Sequence, residues 1–207
     1  IRNMFSKDKL QLKKIITTPY RRFVMMVLLS TIPTGIFGIA FEDFIEFSGA
    51  TLLIPGVCLI LTAILLMIAD RAISGDKDET TATYKDAGLI GIAQGIATIP
   101  GLSRSGTTIT ACLLCGFDKS YAVKYSFIMS IPAVLGALLL EIKNFTSISV
   151  GSLELVNYIT ATAVAGVVGY ISIKTMLVIV RGKKFRGFAL YCLIVGLLAV
   201  IGQFTVA

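Results

Sequence analysis

Five runs without a single Asp, Glu, Lys or Arg constrain this chain more than any other feature. They are Phe23–Phe41 (19 residues), Phe47–Ala69 (23), Tyr125–Leu140 (16), Leu155–Ile173 (19) and Gly187–Ala207 (21). A helix rises about 1.5 Å per residue and the hydrocarbon core of a bilayer is about 30 Å thick, so roughly 20 apolar residues are enough to cross. Composition agrees: 56% of the 207 residues are apolar and 15% charged, where a soluble domain carries about 25% charge. A soluble fold of this size cannot hide so much apolar surface, and disorder is excluded on the same ground. The expected fold class is an all-α integral membrane protein with five spanning helices in a single membrane domain, residues 1–207. Pro33, Pro55 and Pro132 fall inside three of the runs, and Gly166-x-x-Gly169 amid Ala161, Ala163 and Ala165 is expected to be a close helix-packing face.

The chain has no His, which removes Ser-His-Asp and Cys-His catalysis and His metal ligation from its own residues. The four cysteines are Cys58, Cys112, Cys115 and Cys192. One C-x-x-C, Cys112 to Cys115, is a weak zinc signal by itself, and all four are expected to be small residues of apolar surroundings. The chain begins at Ile1 with a basic, half-polar segment to Arg22, which is expected to follow an upstream portion rather than to be a signal peptide.

The stretch Ala87–Phe117 does not fit a simple span. Its 31 residues carry one charge, Arg104, and as a continuous helix would reach about 46 Å. Pro100-Gly101 and Gly106 break it into halves of about 20 Å, each too short to cross. It is either one broken span or a re-entrant hairpin, and positive charge decides. If the stretch is re-entrant, one face receives sixteen Lys and Arg from the N-terminal segment and the loops around Arg71, Lys77 and Lys85, around Lys119 and Lys124, and from Arg181 to Arg186. The other face then holds Lys143 alone. If the stretch crosses once, the split falls to eleven against six. The positive-inside pattern predicts a hairpin over 87–117, re-entrant from the cytoplasmic side, with the C-terminus outside. The basic excess is thus membrane topology, and no nucleic-acid partner is expected. The polar loop Ser74–Lys85 is expected to be a solvated turn rather than a cation site, despite Asp76, Asp78 and Glu79.

Irregular backbone at membrane depth is tolerated only where protein buries it or a cavity hydrates it, so the loop from Ile99 to Thr108 is a candidate site. It carries the hydroxyls of Ser103, Ser105, Thr107 and Thr108 and the guanidinium of Arg104, and leads into a helix. Helix N-termini attract anions, Arg offers a planar fork for phosphate oxygens, and an intramembrane Arg is costly unless it has a functional partner. Neither G-x-x-x-x-G-K-[ST] nor G-x-S-x-G fits the loop.

Pro100-Gly101-Leu102-Ser103-Arg104-Ser105-Gly106-Thr107-Thr108 resembles the P-G-x-S-R-S-G-x-T motif of undecaprenyl-diphosphate phosphatases of the bacitracin-resistance type. Tyr125-Ser126-Phe127, Ile131-Pro132, Gly136-Ala137 and Ile173-Lys174-Thr175 extend the resemblance over nearly the whole chain from Thr17. The family's earlier Glu-rich motif ending S-S-T-G-H does not occur in these residues. The resemblance therefore implies that an N-terminal part with a first, inverted hairpin completes an inverted-repeat architecture of which this chain is half. Gly91-Ile92-Ala93-Gln94-Gly95 resembles the second-repeat counterpart of the Glu-bearing stretch, with Gln94 in place of Glu.

What the resemblance implies is hydrolysis of undecaprenyl diphosphate to the monophosphate in the bacterial cell membrane, recycling the lipid carrier for peptidoglycan synthesis and conferring bacitracin resistance. Arg104, Ser103, Ser105 and Thr108 are the expected catalytic residues, and Gly101, Gly106, Thr107 and Gln94 the expected substrate-binding ones. Mg²⁺ or Ca²⁺ dependence is implied, with carboxylate ligands and base in the N-terminal part and no metal ligand in this chain. Partners would be the polyprenyl diphosphate, the bilayer and a second copy in a homodimer. The alternative is a transporter or flippase that binds a lipid phosphate or other anion at the same loop without breaking a bond.

Overall fold

The computed structural model describes residues 18–145, 152–181 and 185–206, and within them every regular element is helical. In chain order these are α1 (Pro19–Ala40), α2 (Glu42–Gly49), α3 (Leu53–Arg71), α4 (Tyr84–Ile96), α5 (Arg104–Leu114), α6 (Lys119–Phe145), α7 (Ser152–Arg181) and α8 (Arg186–Val206). Five are long and apolar enough to cross a membrane: α1, α3, the Lys119–Leu139 part of α6, the Glu154–Thr175 part of α7, and α8. The chain is a multi-pass membrane protein. Its apolar surface is turned outward, as a lipid environment requires: Ile32, Ile36, Leu139, Val164, Leu198 and Phe204 are all exposed.

Two expectations about the spans are corrected. The run Phe47–Ala69 is not one helix. Phe47 lies in the short α2, whose first turn holds Glu42 and Asp43, and α3 begins only at Leu53. Pro55 consequently sits in the first turn of α3, where the missing N–H has no intrahelical acceptor to lose, whereas Pro33 does lie inside α1 and Pro132 inside α6. The second correction concerns packing. Gly166 has nothing within 4 Å of where a Cβ would stand, and the described side chains of α7 are almost all exposed. The close approaches lie elsewhere. A Cβ on Gly196 of α8 would stand 2.8 Å from the Gly56 carbonyl of α3, and one on Gly91 of α4 only 2.4 Å from the Ser30 carbonyl of α1. Small residues let helix backbones meet wherever they fall opposite a neighbour, and the G-x-x-G spacing in α7 has no such neighbour among the described residues.

The core gathers around the short helices. Phe117, directly after α5, is fully buried among Phe23 of α1 and Tyr121 and Tyr125 of α6, with ring centroids 5.0 to 6.1 Å apart. Met26, Ile90, Ile109, Cys112 and Met129 complete it. The Ser30 hydroxyl inside this apolar mass is fully paired: its Oγ lies 2.6 Å from Tyr125 Oη and 2.8 Å from the Ala87 carbonyl, tying α1, α4 and α6 together, whereas the buried Tyr121 Oη has no hydrogen-bond partner among the described residues. Cys112 and Cys192 are buried and Cys58 and Cys115 half-buried, all as free thiols.

The segment between α3 and α4 is more than a solvated turn. Asp78 does cap its own turn, and hydrogen bonds from the Thr80 hydroxyl and N–H hold its carboxyl down at about 2. Lys77, however, bonds through its backbone to the far end of α5. Its N–H donates to Gly116 O at 3.0 Å, and its carbonyl accepts from Asp118 N–H at 2.9 Å. Gly75 N–H adds a bond to Phe117 O at 3.2 Å. The chain entering α4 and the chain leaving α5 thus run side by side.

Candidate active site

The loop between α4 and α5 is shaped by local chemistry. Thr98 Oγ1 donates to Gly95 O at 2.7 Å as α4 unwinds, and Leu102 N–H donates to Ile99 O to close a turn across Pro100-Gly101. Gly101 has φ +91°, the left-handed region, and a Cβ there would stand 2.3 Å from the Pro55 carbonyl. Only glycine fits. Thr62, buried in the middle of α3, holds both sides of this turn: its hydroxyl donates to Gly101 O at 3.1 Å and accepts from Ser103 N–H at 3.0 Å.

Ser103 is the N-cap of α5, its Oγ accepting from Gly106 N–H at 3.1 Å. With Ser103 N–H given to Thr62 and Gly106 N–H to Ser103, the Arg104 and Ser105 N–H groups are the two of the first turn with no hydrogen bond among the described residues. They stand at the positive end of α5, and the guanidinium of its first residue, Arg104, has no hydrogen bond or ion pair among the described residues. The Arg104 side chain is exposed, opening into a cavity of about 490 Å³ between α1, α4 and α6. A charge with no carboxylate partner avoids the desolvation of burial by facing this opening.

Gln94 lines the same cavity, together with Thr31, Thr34 and Thr98, and Ile39, Pro132, Val134 and Ala137 supply apolar wall. The orientation of the Gln94 amide follows from hydrogen-bond polarity. Thr34 Oγ1 lies 3.1 Å from two acceptors, the Ser30 and Gly91 carbonyls, so its single proton is committed to them. It can therefore only accept from Gln94, whose Nε2 donates to it at 3.2 Å. That turns Oε1 the other way, where it is buried without a partner among the described residues. A buried acceptor in this state calls for a donor.

The other expected residues are distributed around this arrangement. Ser105 lines a second, largely apolar cavity of about 410 Å³ with Phe127, Ile173 and Phe188. Thr108 is fully buried, its Oγ1 within 2.5 Å of Ser126 Oγ and 2.9 Å of the Arg104 carbonyl, so it braces α5 against α6. Thr107 Oγ1 is buried with no partner among the described residues. Gly106 packs under Ser103 and against Leu66. The structure thus brings Arg104 and Gln94 to one cavity, sets Ser103 at its helix cap, and turns Ser105 and Thr108 to other surroundings. Thr34 and Thr62 were not singled out from sequence, and Ser126 was named only within the Tyr125-Ser126-Phe127 resemblance, without a role. Thr62 had a signal, being the only hydroxyl between Thr51 and Asp70 in a strongly apolar run.

Among the described residues no three His, Cys, Asp or Glu side chains cluster as a metal site, and the Arg104 cavity is lined by no carboxylate. The residues present do not by themselves fit Mg²⁺ or Ca²⁺.

Comparison with known proteins gives the same direction throughout. Curated relatives named undecaprenyl-diphosphatase include those of Methanosphaera stadtmanae (39% identical over 184 residues, 88% of this chain and 65% of the relative), Halothermothrix orenii (40% over 181, 87% and 70%) and Carboxydothermus hydrogenoformans (37% over 194, 91% and 73%). The chain spans about two thirds of their length. Residues 1–198 match the family described as bacitracin resistance protein BacA, and the chain belongs to that family.

Proposed function

We propose that this chain hydrolyses undecaprenyl diphosphate to undecaprenyl phosphate and inorganic phosphate, as the names of its relatives state for them. The observation that carries the reading is the Arg104 guanidinium, unpartnered among the described residues and lining a cavity with apolar walls, on a helix whose first-turn Arg104 and Ser105 N–H groups are also free of hydrogen bonds there. Phosphoryl transfer asks the protein for positioning and charge stabilisation more than for covalent chemistry. Water oxygen joins the terminal phosphorus, the bridging P–O bond breaks, and negative charge builds on the departing lipid phosphate. Arg104 clamps that charge with two parallel N–H bonds, and the α5 N–H groups bind the phosphoryl oxygens. Ser103 keeps its hydroxyl proton for a phosphate oxygen, since its cap bond uses only the lone pair. Gln94 Oε1, an acceptor, meets a donor: the attacking water or an Arg104 N–H. The isoprenoid tail lies along the Ile39, Pro132, Val134 and Ala137 wall. Mg²⁺ or Ca²⁺, where required, would take its ligands from outside these residues. The name shared by the relatives favours hydrolysis over the transporter or flippase reading.

We also infer that α4 and α5 form a re-entrant hairpin, with the loops around Lys77 and Lys119 cytoplasmic. The backbone bonds joining 75–77 to 116–118 support this reading, because a single crossing would separate those segments by the bilayer thickness. The inverted repeat and the homodimer remain parts of the same proposal.

The test is phosphate release from undecaprenyl or farnesyl diphosphate by the purified protein. Arg104→Lys keeps the charge but loses the two-point fork, and is expected to lose about 10²–10³ in rate, with Arg104→Ala losing more. Thermal unfolding should be unchanged in both, since the guanidinium makes no bond within the described residues. Near-wild-type turnover of Arg104→Ala would end the assignment, and binding without phosphate release by the unaltered protein would favour the transporter.

A further inference from the structure

A third cavity, of about 480 Å³, lies between the end of α3 and the start of α8 and shares no residue with the Arg104 cavity. Arg71, the last residue of α3, and Arg186, the first of α8, both line it, over an apolar wall of Met67, Leu190 and Leu193. Asp70 sits between them but is already engaged. Its Oδ1 accepts from Phe185 N–H at 3.2 Å, and its Oδ2 lies 3.4 Å from Arg186 Nε. This leaves the outer nitrogens of Arg186, whose side chain is 81% exposed, and the whole Arg71 guanidinium without a partner among the described residues. Both arginines stand where an apolar span ends, the level of lipid headgroups.

We propose that this cavity binds an anionic phospholipid of the surrounding bilayer, its phosphate held by Arg71 and Arg186 and its first acyl carbons along Met67, Leu190 and Leu193. Two guanidinium groups lining one cavity at the headgroup level complement a phosphodiester, and the apolar wall of the same cavity suits the start of an acyl chain. A free phosphate would use the two forks but gain nothing from the wall. The inference does not depend on the reaction at Arg104.

The experiment is native mass spectrometry of the purified protein in detergent, titrated with phosphatidylglycerol, phosphatidylcholine or inorganic phosphate. Phosphatidylglycerol should be retained well above phosphatidylcholine, and inorganic phosphate should not displace it. Arg71→Gln, which leaves the Asp70–Arg186 pair intact, should weaken retention about tenfold, as expected for the loss of charge-assisted hydrogen bonds. Lys85→Gln removes an exposed charge near the start of α4 and should change nothing. Equal retention of the two lipids, an equal loss in Lys85→Gln, or displacement by inorganic phosphate would each overturn the proposal, the last by showing an anion site indifferent to the lipid.

Discussion

Lys77 Nζ donates to both carboxylate oxygens of Asp86, each at 3.0 Å, while the backbone of the same lysine pairs with Gly116 and Asp118. One residue therefore fastens the first turn of α4 by its side chain and the exit of α5 by its main chain. Asp86 is also the third residue of a capping box, accepting from Thr83 N–H and Thr83 Oγ1 at 2.8 Å and fixing where α4 begins.

This fastening predicts matched accessibility. With the four native cysteines replaced by alanine, Asp76→Cys and Ser120→Cys should react alike with a membrane-impermeant maleimide in intact cells and alike in opened ones, both positions being exposed. Opposite labelling would restore a single broken span.

The same pair sets an acid limit. Burial alone would raise the Asp86 carboxyl, but hydrogen bonds from Thr83 and Lys77 outweigh it and hold it below the usual carboxylate range. A depressed folded value means the contribution is fully present above about pH 4 and is lost as pH falls through the folded value. Melting temperature in detergent should fall with acidification over that range. Asp86→Asn should start lower, by about 1–3 kcal/mol, and show a flatter acid limb.

Thr62→Val leaves Gly101 O and Ser103 N–H without their shared partner, and Val cannot replace the hydroxyl despite its similar shape. A loss of about 1–3 kcal/mol in unfolding free energy is expected. Phosphate release should fall with it, because the bonds lost are those that aim the start of α5. An unaltered melt with unaltered turnover would show that the loop holds its shape without Thr62.

Thr34→Val removes the acceptor that orients the Gln94 amide and should lower turnover about tenfold, the worth of roughly one hydrogen bond. Gln94→Glu sets a carboxylate oxygen against a Thr34 oxygen whose proton is already committed. Its activity should therefore recover toward acid pH, where the new carboxyl can protonate and donate. A pH profile parallel to that of the unaltered protein would refute the amide orientation.

Spans, family motif and the two-part break over 87–117 were legible from sequence because each depends on local quantities: run length, charge and the turn chemistry of Pro100-Gly101. Charge counting also gave an expectation of which loops share a face, since Lys and Arg mark a face without reference to packing. What the sequence could not determine was orientation about each helix axis. Ser103, Arg104 and Ser105 are neighbours in the chain, yet about 100° per residue of rotation sends Arg104 to one cavity and Ser105 to another. Likewise Gly166 and Gly169 have the spacing of a packing face, but the helices meet at Gly56, Gly91 and Gly196, because a small residue becomes a contact only when another backbone lies opposite it. Thr34 and Thr62 are single hydroxyls in apolar helices, and their partners are 60 and 39 residues away. Only the tertiary fold could decide that they orient the site, since a hydrogen bond depends on where two atoms stand in space and not on how the chain connects them.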